Sequence, residues 1–289
     1  MKKLSLLLSL LFICFTAQAT PTINILFVYT PAAGAALGGG SGVGTYVGIQ
    51  IANMNQAFRN SAIDAAVVSA AVFSTSTEYP MTTLEQAAAS VVAAEANVAI
   101  GIERDAAGAA VVVVLGPPAG FGTVLCGYAD GFLPGPFKAY AMVAADCFVT
   151  TTSLQHEVGH LMGLHHQYAS DPDSTPGYPN SHGYRFEFFD GTSADYCANT
   201  LMVSFIANTP SCDMEGPNKR INYYGNPAVS ISNGKASAPT GNTASPYYAD
   251  EAHTLISTIP IVANYRTQPI SKAGAILNAL TIPLLLAPW

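Results

Sequence analysis

The sequence predicts an α/β domain in which a largely parallel sheet is covered by helices, followed by a smaller, irregular C-terminal part. Three observations predict it. Short apolar runs of buried-strand type recur along the first half of the chain. Segments of helical spacing lie between them, and strands alternating with helices favour a parallel sheet. After residue 168 the periodicity stops, and Pro, Gly, Ser, Asp and aromatic residues dominate.

The elements follow in order. Residues 23–30 (INILFVYT) are β-branched and aromatic, end at Pro31, and read as a buried strand. Residues 32–44 are dense in Gly and Ala; they lack the Lys-Ser/Thr that closes a phosphate-binding loop and read as a flexible connection. Residues 46–60 place Val47, Ile51, Met54 and Phe58 on one helical face. Residues 65–73 are a second strand. Residues 82–99 are a second helix with Thr82 or Thr83 as N-cap. Residues 110–115 (AVVVVL) form a third strand bounded by Gly116-Pro117-Pro118. Residues 138–147 form one more; the Gly/Pro-rich approach has no crossover helix, which suits an antiparallel edge strand. Residues 168–201 are loop, and 250–266 are a last helix interrupted by Pro260.

Composition narrows the function. Of 289 residues half are hydrophobic and only 10% are charged, with a net charge of -7. Disordered chains have the opposite balance. No basic stripe exists to neutralise phosphates, so nucleic acid is not an expected partner. No internal run approaches the ~20 apolar residues of a spanning helix, so no stable membrane span is expected.

The ends carry their own signals. Lys2 and Lys3, an apolar stretch over 4–15 and Ala17-Gln18-Ala19 make residues 1–19 a secretory signal peptide. The protein is therefore expected to be secreted, extracellular or periplasmic. The first strand starts within a few residues of that cleavage site, so no propeptide is expected. Residues 20–267 are read as one domain and 268–289 as an apolar C-terminal tail. Beyond Cys14 in the signal there remain Cys126, Cys147, Cys197 and Cys212. An even number in an exported chain suggests two disulfides. Three pairings exist; proximity favours Cys126–Cys147 with Cys197–Cys212. No C-x-x-C spacing supports a zinc-thiolate site.

Chemistry concentrates in Ser153-Leu154-Gln155-His156-Glu157-Val158-Gly159-His160-Leu161-Met162-Gly163-Leu164-His165-His166. His156 and His160 are four apart, which stacks both imidazoles on one helix face, able to share one ion. Thr152 or Ser153 can cap that helix. Gly163 is placed to end it, because a left-handed residue is inexpensive there for glycine alone. A third imidazole can then return from His166 or from its register rival His165. Glu187 is the nearest later glutamate that could serve as third ligand, as in thermolysin-like enzymes, but Arg185-Phe186-Glu187-Phe188 does not look like that family's second helix motif. Three neutral imidazoles with an open fourth position are the coordination of a catalytic zinc ion. Glu157 beside the first ligand can act as general base.

H-E-x-x-H-x-x-G-x-x-H followed by a methionine turn resembles the metzincin zinc endopeptidases. The family spacing selects His166 as third ligand, and Met202, in Asn199-Thr200-Leu201-Met202-Val203-Ser204, would be the turn methionine. Within that clan the chain looks most like the bacterial reprolysin-like, or peptidyl-Asp metalloendopeptidase-like, proteins. Residues 25–33 (ILFVYTPAA), 53–64 (NMNQAFRNSAID), the Cys126-Gly127 element and Asn264-Tyr265-Arg266 carry that likeness, which spans roughly residues 23–266. It implies a zincin fold with a mixed, mostly parallel twisted sheet of about five strands, an antiparallel edge strand on the cleft, and an active-site helix as floor. The upper subdomain would be 20–163 and the smaller lower one 164–267. It implies a secreted zinc-dependent endopeptidase with one catalytic Zn2+, acting on proteins or peptides; the oligomeric state is open, with a monomer favoured. An extended substrate would pair with the edge strand.

Two other functions compete. One is a secreted, non-enzymatic zinc-binding or adhesion module on a protease-like scaffold; the intact Glu157 argues against it. The other is a metal-dependent hydrolase of a non-peptide bond. Gln167 departs from the likeness, since the relatives usually carry Asp there, and Ser204 offers no tyrosine ligand. Asp171 and Asp173 suggest a structural Ca2+ only weakly, because no complete calcium loop surrounds them; a solvated acidic loop is the expected reading.

Overall fold

The computed structural model describes residues 19–119, 125–188, 196–204, 220–232, 237–244 and 247–266. The sequence runs of strand type become β1 (Thr22–Tyr29), β2 (Ala66–Ser74), β3 (Val111–Gly116), β4 (Gly127–Ala129) and β5 (Tyr140–Ala144). They form one sheet in the order β2-β1-β3-β5-β4. β1 pairs in parallel with β2 and with β3, and β3 with β5; β4 alone is antiparallel, on β5. This is the mixed, mostly parallel five-stranded sheet expected of an α/β zincin.

Both faces of β1, β3 and β5 are covered, which is why these strands read as continuous apolar runs, while much of β2 is exposed. Successive side chains point to opposite faces. Thus Ile25, Phe27, Val111, Val113 and Leu115 enter one core, while Leu26, Val28, Val112 and Val114 enter the other. Helices α2 (Gly39–Asn60), α5 (Ala145–Thr150), α6 (Ser153–Leu161) and α7 (Glu251–Ala263) contribute to the first core. The short α1 (Pro31–Ala36) leads into α2. Helices α3 (Leu84–Glu95) and α4 (Val98–Ala107) cover the second.

Several expectations need correction. Residues 32–44 are not a flexible connection but α1 and the first turns of α2. Glycine disfavours helix, yet burial of Val43 and Val47 against the sheet outweighs propensity. Gly42 is required there because a Cβ would collide with the Leu37 carbonyl. The stretch 82–99 is not one helix: α3, capped by Thr83, ends at Glu95, and Asn97 caps α4 through its side chain. Pro260 does not interrupt α7. The carbonyl its missing N–H would have bonded belongs to Ile256, which is solvent-exposed.

The edge strand was expected at 138–147. Instead β5 lies inside the sheet, parallel to β3, and β4 is the antiparallel edge. The turn from 130 to 139 reverses the chain between them. The Cys126–Cys147 disulfide, with Cα atoms 5.5 Å apart, fixes the start of β4 to α5. Ala144 also donates to the Cys126 carbonyl at 3.0 Å. The expected Cys197–Cys212 pair lies outside the described residues through Cys212, as do the signal segment and the tail beyond 266.

Between α6 and α7 the described residues are largely turns, with two small antiparallel strand pairs. β6 (Arg185–Phe188) pairs antiparallel with β7 (Tyr196–Asn199), so the expectation of loop throughout 168–201 misses this pair. β8 (Ser230–Ser232) pairs with β9 (Ser237–Pro239). Among the described residues no helix is long and apolar enough to cross a membrane.

Candidate metal centre

Helix α6 packs Leu154, Val158 and Leu161 into the first core. That choice of buried face turns His156 and His160 together toward one side of the helix. The helix stops as its sequence suggests. Gly163 has φ +93°, in the left-handed region. Its N–H bonds the His160 carbonyl at 2.8 Å and the Leu164 N–H bonds the Gly159 carbonyl at 3.0 Å, a Schellman closure. The N-terminal expectation was different in detail. Thr152 makes no side-chain cap, and the Thr151 hydroxyl takes the Ser153 N–H at 3.1 Å instead.

The reversal at Gly163 brings His166 back over the helix. The three Nε2 atoms of His156, His160 and His166 then lie 3.1–3.2 Å apart. Two of the rings have a fixed tautomer. His156 donates Nδ1–H to the Leu201 carbonyl at 2.8 Å, and His160 donates Nδ1–H to the Leu164 carbonyl at 2.7 Å. Their Nε2 atoms therefore present lone pairs to one another, which repel unless a cation lies between them. A tetrahedral zinc with bonds of about 2.0–2.1 Å keeps its nitrogens about 3.3 Å apart. The triad fits such an ion in donor type, protonation and spacing. Among the described residues it is the one cluster of His, Cys, Asp or Glu able to hold a metal.

Burial also keeps these rings neutral, as ligands must be. It pushes His160 down to about 3 and His166 down to about 4, and holds His156 well below the ordinary imidazole value. His165, the register rival, faces away. Its nitrogens meet Asp171 Oδ2 at 3.0 Å and Thr175 Oγ1 at 3.1 Å, and its ring stacks on Phe132. Asp171 is thus engaged with an imidazole. Glu187 lies in β6, and Asp173 is not brought to the triad.

Glu157 follows the first histidine and is buried. Burial raises its carboxyl to about 8, against the pull of the Arg220 charge. It packs against β4: a Cβ built on Gly127 would lie 2.5 Å from Glu157 Cγ and Oε1. Only glycine at 127 leaves room for this carboxyl beside the edge strand.

Met202 lies beneath α6, its sulfur filling the space that a side chain at Gly159 would occupy. The preceding residue, Leu201, supplies the carbonyl that orients His156. Gln167, which departs from the family likeness, accepts from the Ser204 N–H at 2.8 Å through Oε1. It ties the third-histidine loop to the exit of this turn, a task an amide oxygen performs as a carboxylate would.

The sequence names Gly127 only within the Cys126-Gly127 likeness and gives no sign of its contact with Glu157, and two further participants escape it. Gly127 sits in a three-residue strand with no detectable period. Glu251 is fully buried at the start of α7 and accepts from Thr200 Oγ1 at 2.8 Å and from the Gly225 N–H. It thereby fixes the turn that carries Leu201 and Met202. Arg220 donates Nε–H to the Val203 carbonyl at 2.8 Å, and its charge is felt at Glu157 and all three imidazoles. The acidic residue at the head of a helix was a weak available signal for Glu251; for Arg220 there was none.

Comparison with known proteins agrees with this geometry. Residues 45–167 match the family described as metallo-peptidase family M12B, reprolysin-like. A peptidyl-Asp metalloendopeptidase of Stenotrophomonas maltophilia (strain R551-3) is 32% identical over 86% of this chain and 54% of its own length. A second, from strain K279a, is 34% identical over 49% of this chain and 29% of its own. The chain thus spans about half the length of the first relative and less of the second. A solved structure described as a chaperone-substrate complex shares the fold, with TM-score 0.62 and 18% identity, over 86% of this chain and 40% of that one. The resemblance to reprolysin-like metallopeptidases read from the sequence is borne out.

Proposed function

We propose that this chain, a relative of the reprolysin-like metallopeptidases, is a secreted zinc-dependent endopeptidase with Glu157 as its general base. The observation that supports this best is the convergence of three neutral Nε2 atoms beside a buried carboxyl. His156, His160 and His166 would hold one zinc ion. Bound there, the ion supplies a Lewis acid for a substrate carbonyl and acidifies water at its open position.

The remaining work falls to the chain. Glu157 must accept a proton from water and pass it to the leaving amine. Burial alone would keep its carboxyl protonated near neutrality. The Arg220 charge opposes that burial and favours the carboxylate, as a divalent ion held by the triad also would. Gly127 leaves room for the carboxyl beside β4. The Leu201 and Leu164 carbonyls hold His156 and His160 in the tautomer that leaves Nε2 available. β4, the last strand of the sheet, lies beside Glu157, so an extended peptide pairing with it would pass the triad.

The names of the relatives carry peptidyl-Asp. We extend that preference to this chain, with an aspartate beside the bond that is cleaved. Residues 20–267 would be the catalytic domain, exported by the signal at 1–19. Metal content and caseinolysis on one purified sample test the core of this reading. About one zinc per chain is expected, with cleavage lost on chelation and in Glu157→Gln. A folded sample that binds no zinc refutes it. Zinc bound without cleavage of any protein or peptide favours the binding-module alternative.

A further inference from the structure

The Glu157 carboxyl rests against a residue that cannot hold itself in place. Gly127 has no side chain to pack, and glycine loses more conformational freedom on folding than any other residue. It opens β4, a strand of three residues that pairs with β5 alone among the described strands. Few ladder bonds and no second neighbour leave such a strand at the low-stability end of a fold. Yet the approach is close: a Cβ at 127 would lie 2.5 Å from Glu157 Oε1.

The tie is supplied one residue earlier. Cys126 is bonded to Cys147, with Cα atoms 5.5 Å apart. Its carbonyl also accepts from the Ala144 N–H at 3.0 Å. Cys147 lies in α5, which is itself well anchored: Phe148 belongs to the first core, and its carbonyl accepts from the buried Gln50 amide at 2.6 Å. Thr151 and Thr152 join α5 directly to α6, which carries Glu157. The disulfide therefore closes a ring through the contact. The ring runs from Cys126 to Gly127, across to Glu157, back along α6 and α5 to Cys147, and over the two sulfurs. One covalent bond joins both walls of the contact, the edge strand and the helix.

We propose that the Cys126–Cys147 disulfide is a positioning element of this site, holding β4 against Glu157, so that turnover depends on the oxidation state of the pair. The inference rests on the endopeptidase reading above. The two cysteines touch neither the imidazoles nor the carboxyl; they act through Gly127. Cys126 is partly exposed, which opens the bond to a small reductant. A phosphine attacks one sulfur and breaks the S–S bond. Water then supplies the oxygen that leaves as phosphine oxide and the two protons that end on the thiols. Disulfides form in oxidising compartments and are rare in the cytosol. On the export reading, the chain would gain a firmly seated base only after it leaves the cytoplasm.

The test compares wild type with Cys126→Ala/Cys147→Ala, each as the full chain loaded with zinc, on one peptide substrate. In the double variant kcat is expected to fall on the order of ten-fold or more, with KM and zinc content near wild type. Adding Gly127→Ala gives the readout that a purely structural bond would not move. In the oxidised protein the new Cβ is forced onto Glu157. Without the disulfide β4 can recede, so the same substitution should cost far less, a coupling read as non-additive losses in kcat. Phosphine treatment of the folded wild type should lower kcat to the level of the double variant, and removal of the reagent with reoxidation should restore it. That measurement covers the case in which the double variant does not fold.

A folded, zinc-bound double variant with the kcat of wild type overturns the proposal. So do losses from Gly127→Ala that are equal in both backgrounds, or a phosphine effect of the same size on the double variant. Loss of zinc together with activity also overturns it, because the bond would then serve the triad and not the base. Oxidised, zinc-loaded wild type that cleaves no protein or peptide refutes the endopeptidase reading and this proposal with it. Cleavage indifferent to the disulfide refutes only the proposal.

Discussion

In β1, β3 and β5 nearly every side chain is apolar and buried, and the sheet gains its stability from area removed from water. Among the described residues between α6 and α7 the buried side chains include Gln167, Thr175 and Thr200, set among turns, and Glu251 at the head of α7 bonds to Thr200. The first region is held by many small, non-directional contacts. The second is held by a few hydrogen bonds whose loss leaves a buried group unsatisfied. The metal centre lies on the seam: α6 brings His156, His160 and Glu157 from the sheet side, and the turns bring His166, Met202 and Arg220. Mutations on the two sides should therefore fail differently, one in stability and the other in geometry.

The largest effect is expected on the seam itself. Glu157→Gln keeps the shape of the side chain and removes the base. Turnover should fall by about 10³-fold, within the range for a lost general base, with zinc content and thermal unfolding close to wild type. A variant that also loses zinc would mean that this carboxyl is structural. On the sheet side, Leu115→Ala should cost roughly 2–5 kcal/mol by opening a cavity in the first core. Denaturant unfolding should show that loss while kcat/KM of the folded fraction stays near wild type. A specific drop in kcat/KM would show that the sheet transmits strain to the site.

Gly127→Ala is an intermediate case, because β4 belongs to the sheet but touches the base. Its new Cβ would overlap Glu157 Cγ and Oε1. A misplacement of about 1 Å can lower turnover on the order of 10²-fold. The loss should appear in kcat, with zinc stoichiometry retained. An alanine variant of full activity would place Glu157 elsewhere during turnover.

The same division explains what the sequence revealed. Val111–Gly116 is legible because a strand buried on both faces has no choice but apolar residues. The histidines are legible because their spacing is local: four residues are one helical turn, and Gly163 must supply the left-handed step. The start of α2 was not legible, since its glycines argue against helix and only tertiary packing of Val43 and Val47 overrides them. β4 has three residues and no period. Met202 was found through family likeness; nothing in its own neighbourhood distinguishes it from a core methionine. Glu251 and Arg220 reach the site through single bonds to Thr200 and Val203, long-range contacts that leave no local pattern.

Glu251 gives the finest test of the polar side. Burial raises its carboxyl to about 8, although the Gly225 N–H and Thr200 hydroxyl pull it down. The unfolded chain should ionise this group near 4.5, its ordinary value. Below that pH both states are protonated, and the contribution to stability is present in full. Between about 4.5 and 8 unfolding releases a proton, so stability falls as pH rises; above the folded value the loss is complete. Glutamine imitates the neutral carboxyl, since its amide oxygen can accept from both Gly225 and Thr200. Glu251→Gln should therefore match wild type near pH 5 and gain on it by roughly 1 kcal/mol per pH unit up to about pH 8. Urea unfolding of zinc-loaded wild type and variant at several pH values measures the difference, in which every other titrating group cancels. Parallel stability curves would show that the carboxyl is ionised in the folded protein. No such slope is expected from Leu115→Ala against wild type, because nothing in the apolar core of the sheet titrates.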